Sequence, residues 1–178
     1  MATSTGSLTV EQFAALPRTD TRDELVDGEL ISMLPADLLH NVTEKRLVRL
    51  LDPIAGGGYV NAEVPFVPIP GRHTARTADV AWGSRERLAA RGLRGYVQGA
   101  PELVIEVVSP SNTMPEMNRR RREAFDGGCL EFRTVAPDAQ MVEAGMPDGT
   151  SRTYSAGRKI PTGPLGGAQI PVDRIFGD

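Results

Sequence analysis

The stretch "LVIEVVSPS", Leu103 to Ser111, sets one carboxylate, Glu106, in the middle of an otherwise apolar run. A run so apolar and β-branched reads as a strand buried on both faces, where an unpaired ionised carboxylate costs roughly several kcal/mol or more. Something must compensate it. The candidates are a basic side chain, a proton taken up by Glu106 itself, or a metal ion, and only the last two lead readily to chemistry.

A second stretch repeats the pattern. In "TADVAW", Asp79 stands among Ala78, Val80, Ala81 and Trp82 in another strand-like segment. If the two strands lie side by side with Asp79 and Glu106 on one face, two carboxylates share one spot, and their repulsion favours a divalent cation. Mg²⁺ fits best, with Mn²⁺ beside it, because such ions accept one or two carboxylates together with substrate phosphates and keep several waters. One of those waters can attack a phosphodiester in line. The plainer reading is an acid neutralised by one of the many arginines. Other chemistries fit less well: two carboxylates could serve glycoside hydrolysis, but the surroundings are rich in arginine and poor in aromatics. There is no Cys/His zinc spacing, no phosphate-binding glycine loop and no serine in a nucleophile elbow.

The 178 residues suit one domain over positions 1–178, with roughly the first eight residues expected to be disordered. Cys129 is the only cysteine, so no intrachain disulfide can form. The start "MATSTGSLTV" has neither the basic residues nor the apolar stretch of a secretion signal, and no segment has the roughly 18 apolar residues of a membrane span. A cytoplasmic protein without a membrane partner is expected. The net charge of −3 gives no global attraction to nucleic acid. Its distribution is uneven, however: from Arg72 to Arg122 there are ten arginines and five acids.

Around these strands the elements follow from local signals. Thr9 and Gln12 have capping-box spacing for a helix from Val10 to Leu16, stopped by Pro17. Asp27-Gly28, between "ELV" and "ELI", predicts a tight hairpin. Apolar residues at helical spacing predict a long amphipathic helix from Ala36 to Leu51. "YVNAEVPFVPI" and "TADVAW" read as strands, and "SRERLAAR" as a short helix capped by Ser84 and stopped by Gly92. After the Glu106 strand, Thr113, Pro115 and Glu116 open a helix that Gly127-Gly128 ends. "CLEFRTV" and "QMVEAG" read as strands, the former carrying Cys129, and "PDGT" with "SRTYS" suggests a further hairpin. The organisation is α+β or mixed α/β in a single unit.

Four successive arginines, Arg119 to Arg122, step by about 100° each, so at least one faces inward. Arg120 or Arg121 could reach the carboxylates, either to neutralise Glu106 or to hold substrate. Glu63, in "NAEVPF", could be a third acid near the site, although an exposed strand glutamate is the simpler reading. His73, in a glycine- and proline-rich turn, is expected to be exposed.

Taken in order, "TRDELVDGEL", His40, "RTADVAW", "PELVIEVVSPSN", "EMNRRRREAFDGGCLEF" and "VAP" resemble the landmarks of the Uma-two family of restriction-endonuclease-like proteins, within the PD-(D/E)XK nuclease superfamily. The resemblance covers Arg22 to Pro137. It implies a mixed central β-sheet flanked by helices, with Asp79 and Glu106 as catalytic metal ligands and the Val107 carbonyl as a further ligand. By its family position His40 could contact substrate or metal, while Arg121 is a candidate substrate contact from its helical spacing alone. The superfamily's basic residue, usually two positions after the glutamate, is replaced here by Val108; in this family it comes from the following helix, where Arg120 stands. Arginine cannot give up its proton, so Arg120 could hold a phosphate or the attacking water but could not act as general base. Ala78, Arg133 and Ala136 also depart from the pattern. The reading is therefore a Mg²⁺-dependent endonuclease acting on nucleic acid, DNA before RNA, with a homodimer suited to cutting two strands. The alternative is a catalytically inactive nuclease fold serving as a nucleic-acid-binding or protein-interaction module.

Overall fold

Asp27 and Gly28 turn the chain back on itself with φ of 50° and 84°. Positive φ at both central residues is what a tight antiparallel turn requires. In the computed structural model, which describes residues 7–17, 21–33, 35–91, 95–109 and 112–177, this turn joins β1 (Arg22–Val26) to β2 (Glu29–Met33). The hairpin forms a two-stranded sheet of its own, attached to the body by a bridge between Leu25 and Ala75.

The main sheet has seven strands: β3 (Tyr59–Val67), β4 (Arg76–Gly83), β5 (Val97–Gln98), β6 (Leu103–Val107), β7 (Glu131–Ala136), β8 (Met141–Gly145) and β9 (Ser151–Ser155). Their spatial order is β5-β3-β4-β6-β7-β8-β9. The Glu106 strand is thus the middle one. It is antiparallel to β4 and parallel to β7, and every one of its residues is buried. A third small sheet pairs β10 (Lys159–Pro161) with β11 (Gln169–Pro171).

Helices cover both faces. α1 (Val10–Ala14) begins with the expected capping box at Thr9 but ends short of Leu16. α2 (Leu38–Leu51) starts two residues later than the apolar spacing suggests, because the Asp37 side chain caps it by accepting from the His40 amide. α3 (Arg85–Arg91) is capped by Ser84, whose Oγ accepts from the Arg87 amide; its expected stop, Gly92, lies outside the described residues. α4 (Met114–Asp126) makes the crossover between parallel β6 and β7 and ends at Gly127. α5 (Asp173–Phe176) packs on α2.

The core divides along the sheet. Leu103, Ile105 and Val107 join Leu47 and Leu51 of α2, Trp82, and Ile160, Ile170 and Ile175 from the C-terminal segments. Val104, on the alternate side, joins Ala81, Phe132, Met117 and Ala124, the last two from α4. Strand alternation places Glu106 with Val104, toward α4. The charged pair Arg133–Glu131, at 2.6 Å, is fully buried and reaches the Pro161 carbonyl, which ties the small C-terminal sheet to the main one.

One expectation needs correction. Cys129 is buried but precedes β7 rather than lying within it, and burial pushes its thiol up to about 12. The expected disorder of the first eight residues falls outside the described residues for 1–6, while Ser7 and Leu8 are hydrogen-bonded, to His73 Nδ1 and the Gly28 carbonyl. His73 is exposed, as its turn suggests. No helix among the described residues is long and apolar enough to cross a membrane.

Candidate functional site

The register of β4 against β6 pairs Val80 with Ile105, so one step further Asp79 stands opposite Glu106. Both are buried, at 4 % and 5 % exposure. The sequence pattern thus places both acids together at one end of adjacent strands.

Their partners differ. One Asp79 oxygen receives Arg22 Nη1 at 2.6 Å, and the other accepts from the Val107 amide at 2.7 Å and lies 3.6 Å from His40 Nε2. Burial opposes ionisation of Asp79, but the His40 contact and the Arg22 charge prevail and hold its carboxyl below the ordinary range. Glu106 lies 3.4 Å from Arg120 Nη1. Burial and then the neighbouring Asp79 charge push its carboxyl up to about 8. Glu106 thus has an arginine partner, and burial favours its protonated form.

Arg120 is held mainly by a different acid. Its Nη1 and Nη2 donate to the two oxygens of Glu24 at 3.1 and 2.6 Å, a fork-to-carboxylate contact. Glu24 comes from hairpin strand β1, is 1 % exposed, and also receives Arg76 Nη1 and the Thr77 amide, each at 2.9 Å. Burial raises and the Arg120 and Arg76 charges lower its pKa, with a net downward displacement. Arg76 continues to Glu123 at 2.7 Å. The hairpin, β4 and α4 are thereby tied together by buried charges.

On the other side of Asp79, α2 presents His40 and Glu44, one helical turn apart and both buried. His40 Nε2 lies 3.1 Å from Glu44 Oε1. Burial disfavours charge on the imidazole, but the contacts with Asp79 and Glu44 win and push it up to about 10. One ligand atom each from His40, Glu44 and Asp79 lie within 4.8 Å of one another. These groups open into a cavity of about 740 Å³, whose wall includes Arg22, His40, Glu44, Asp79, Glu106 and Arg120.

Of the residues singled out in the sequence, Asp79, Glu106, Val107, Arg120 and His40 all border this cavity. Glu63 does too; it is exposed, has a φ of 51°, and stands across from Asp79 between the pairs Ala62–Val80 and Val64–Ala78. Arg121 is not brought to the cavity. Its guanidinium lies 5.6 Å from the Phe132 ring centroid and donates to Glu143 and Thr134 at 3.0 and 3.3 Å. The sequence reading missed Arg22, Glu24 and Glu44. Glu44 could have been found from its four-residue spacing after His40; Arg22 and Glu24 share one face of a strand whose alternation looks like ordinary surface.

Comparison with solved structures finds the same fold in the crystal structure of "a putative nuclease belonging to DUF820" from Anabaena variabilis. The TM-score is 0.81 over 95% of this chain and 97% of that one, at 16% identity, a level at which the likeness is one of fold. No curated protein matches the sequence. The profile of the family described as "Uma2: Putative restriction endonuclease" matches residues 10–170. That match covers most of the chain, and the chain belongs to the Uma2 family.

Proposed function

We propose that this protein is a metal-dependent endonuclease that hydrolyses phosphodiester bonds of nucleic acid, DNA in the first instance. The observation that carries this reading is the buried, opposed pair Asp79 and Glu106 at the wall of an open cavity, one ionised and the other pushed up to about 8 by burial and its neighbour. Two acids so placed relieve their repulsion by sharing a divalent cation.

The donor set fits such an ion. Asp79 and Glu106 would hold it, with the Val107 carbonyl as the third ligand implied by the family. Asp79 also closes a set with His40 and Glu44. Oxygen donors suit Mg²⁺, and an imidazole beside carboxylates suits Mn²⁺ as well. When bound, a divalent ion lowers the pKa of a water and neutralises charge on the phosphoryl oxygens.

The protein's own groups would then divide the work. Asp79 is ionised already, while Glu106 must release its proton to serve as a ligand. Arg120, fixed by Glu24 and unable to act as a base, would supply a stationary positive charge toward phosphate or water. His40, turned toward Asp79 and Glu44, is better placed as a ligand than as a substrate contact.

A second reading has its own observation: Arg120 stands where the family supplies lysine, and Arg22 and Arg120 already neutralise the acids. On that reading the chain binds nucleic acid without cutting it. Incubation of supercoiled plasmid with Mg²⁺ or Mn²⁺ separates the two. The nuclease reading expects nicking that Asp79→Ala abolishes. Retained DNA binding without cleavage favours the inactive module, and cleavage that persists in Asp79→Ala excludes this site as its source.

A further inference from the structure

We infer that Arg22 is a guard and phosphate-binding residue: it occupies Asp79 while no cation is bound, and turns to a nucleic-acid phosphate once a cation displaces it. This rests on the metal-dependent reading above and names a role within that site.

Two arginines approach the acids, and their settings are unlike. Arg120 is 4 % exposed and held by both oxygens of Glu24, with Glu106 and Glu116 close by. It cannot swing without breaking both of its hydrogen bonds to buried Glu24. The Arg22 side chain is 23 % exposed and faces the cavity. Among the described residues its Nη1 donates to Asp79 at 2.6 Å and its Nη2 to the Thr77 carbonyl at 2.5 Å, and its buried Nε finds no partner there. It lies at the open end of the hairpin, in the pair with Met33, where the two-stranded sheet is farthest from its turn.

The Arg22 guanidinium takes up one of the two Asp79 oxygens, and the Val107 amide takes the other. A cation reaching Asp79 therefore competes directly with Arg22. Guanidinium cannot discharge by losing a proton, so the two positive charges repel and the mobile one must give way. The open direction for Arg22 is the cavity. There a guanidinium fork matches a phosphate through two parallel hydrogen bonds. Metal loading would in this way release a phosphate-binding group at the place where phosphate is needed.

The test reads two quantities expected to move in opposite directions. Mn²⁺ is titrated calorimetrically into the native chain, Arg22→Gln and Arg22→Met, the last keeping a long apolar stem without charge. A phosphorothioate DNA duplex is then bound with and without Mn²⁺. Removing the guard should tighten Mn²⁺ binding by about tenfold or more. Duplex affinity in Mn²⁺ should fall by a similar factor, while in EDTA native and variants bind the duplex alike. If the native chain binds Mn²⁺ and neither variant binds it more tightly, the guard is overturned and the nuclease reading stands. Variants that bind Mn²⁺ more tightly but retain the native duplex affinity overturn the phosphate role. Mn²⁺ binding seen only in the variants supports the guard, and binding in none of the three overturns both readings.

Discussion

Asp79 and Glu106 face each other across neighbouring strands, yet the fold displaces them in opposite directions. Asp79, between Arg22, His40 and the Val107 amide, stays ionised; Glu106, with Asp79 beside it and Arg120 3.4 Å away, is pushed up to about 8. In the metal-free protein the pair therefore shares less than two charges at neutral pH. On the metal-dependent reading this pair would take up a cation, and its charge state has consequences that can be measured without any substrate.

The first concerns pH. The folded protein keeps the Glu106 proton up to about 8, whereas the unfolded chain gives it up near 4.5. Between those values the folded state binds more protons, so this group's contribution to stability is complete below 4.5 and lost as pH rises through about 8. Glu106→Gln, which resembles the protonated acid, should make metal-free protein more stable than native at pH 8 to 9 by on the order of a few kcal/mol, with the difference shrinking toward acid. Thermal unfolding in EDTA from pH 4.5 to 9 checks it. Equal slopes for both proteins would mean that Glu106 is ionised throughout.

The second concerns Glu24. It is 1 % exposed and is shared by Arg120 and Arg76. Glu24→Gln leaves two buried guanidinia facing a neutral amide and should destabilise the protein by about 3–5 kcal/mol. Because its carboxyl lies below the ordinary range, the stability it gives is present above 4.5 and lost as pH falls through the lowered folded value. Urea unfolding at neutral pH should show the full loss, and the two proteins should converge in acid.

The hairpin carries both Arg22 and Glu24, so its turn bears on the site. Gly28 has a φ of 84°, and a Cβ there would meet Ser7 Oγ at 1.7 Å. Gly28→Ala should lower stability by roughly 1–3 kcal/mol. It should also weaken duplex binding more than an equally destabilising change in β9, which is remote from the cavity. Comparison of melting temperature with duplex affinity tests both parts.

As a metal ligand, His40 would distinguish between ions. An imidazole ligand favours Mn²⁺ over Mg²⁺, whereas the carboxylates serve either. His40→Gln should therefore weaken Mn²⁺ binding by about tenfold and leave Mg²⁺ affinity nearly unchanged, as calorimetric titration would reveal. Unchanged Mn²⁺ affinity in that variant would place His40 outside the ligand set.

Much of this site was legible because an acid in an apolar strand is costly and so conspicuous. Asp79 and Glu106 stand out on that ground alone, and their common face follows from strand alternation once β4 and β6 pair. Asp27-Gly28 was equally plain, since its positive φ values are a local property. Glu24 was not. In "RDELV" it alternates like a solvated strand residue, and only the packing of the hairpin against β4 and α4 buries it. Arg121 could not be told from Arg120 by spacing, because neighbouring helix positions diverge by about 100° and the phase of α4 is set by Met117 and Ala124 in the core. The three-residue strands β10 and β11 are too short for any periodic signal, although Ile160 and Ile170 complete the core.

The central claim is that Asp79 and Glu106 together bind a divalent cation. Calorimetric titration of Mn²⁺ into the native chain and Asp79→Asn tests it most directly, with proton release followed in two buffers of different ionisation enthalpy. The account predicts one or more saturable sites in the native protein, protons released on binding near neutral pH as Glu106 ionises and His40 gives up its imidazolium proton, and no binding in Asp79→Asn. Native protein that takes up no Mn²⁺, or an Asp79→Asn variant that binds it as well as native, would contradict it.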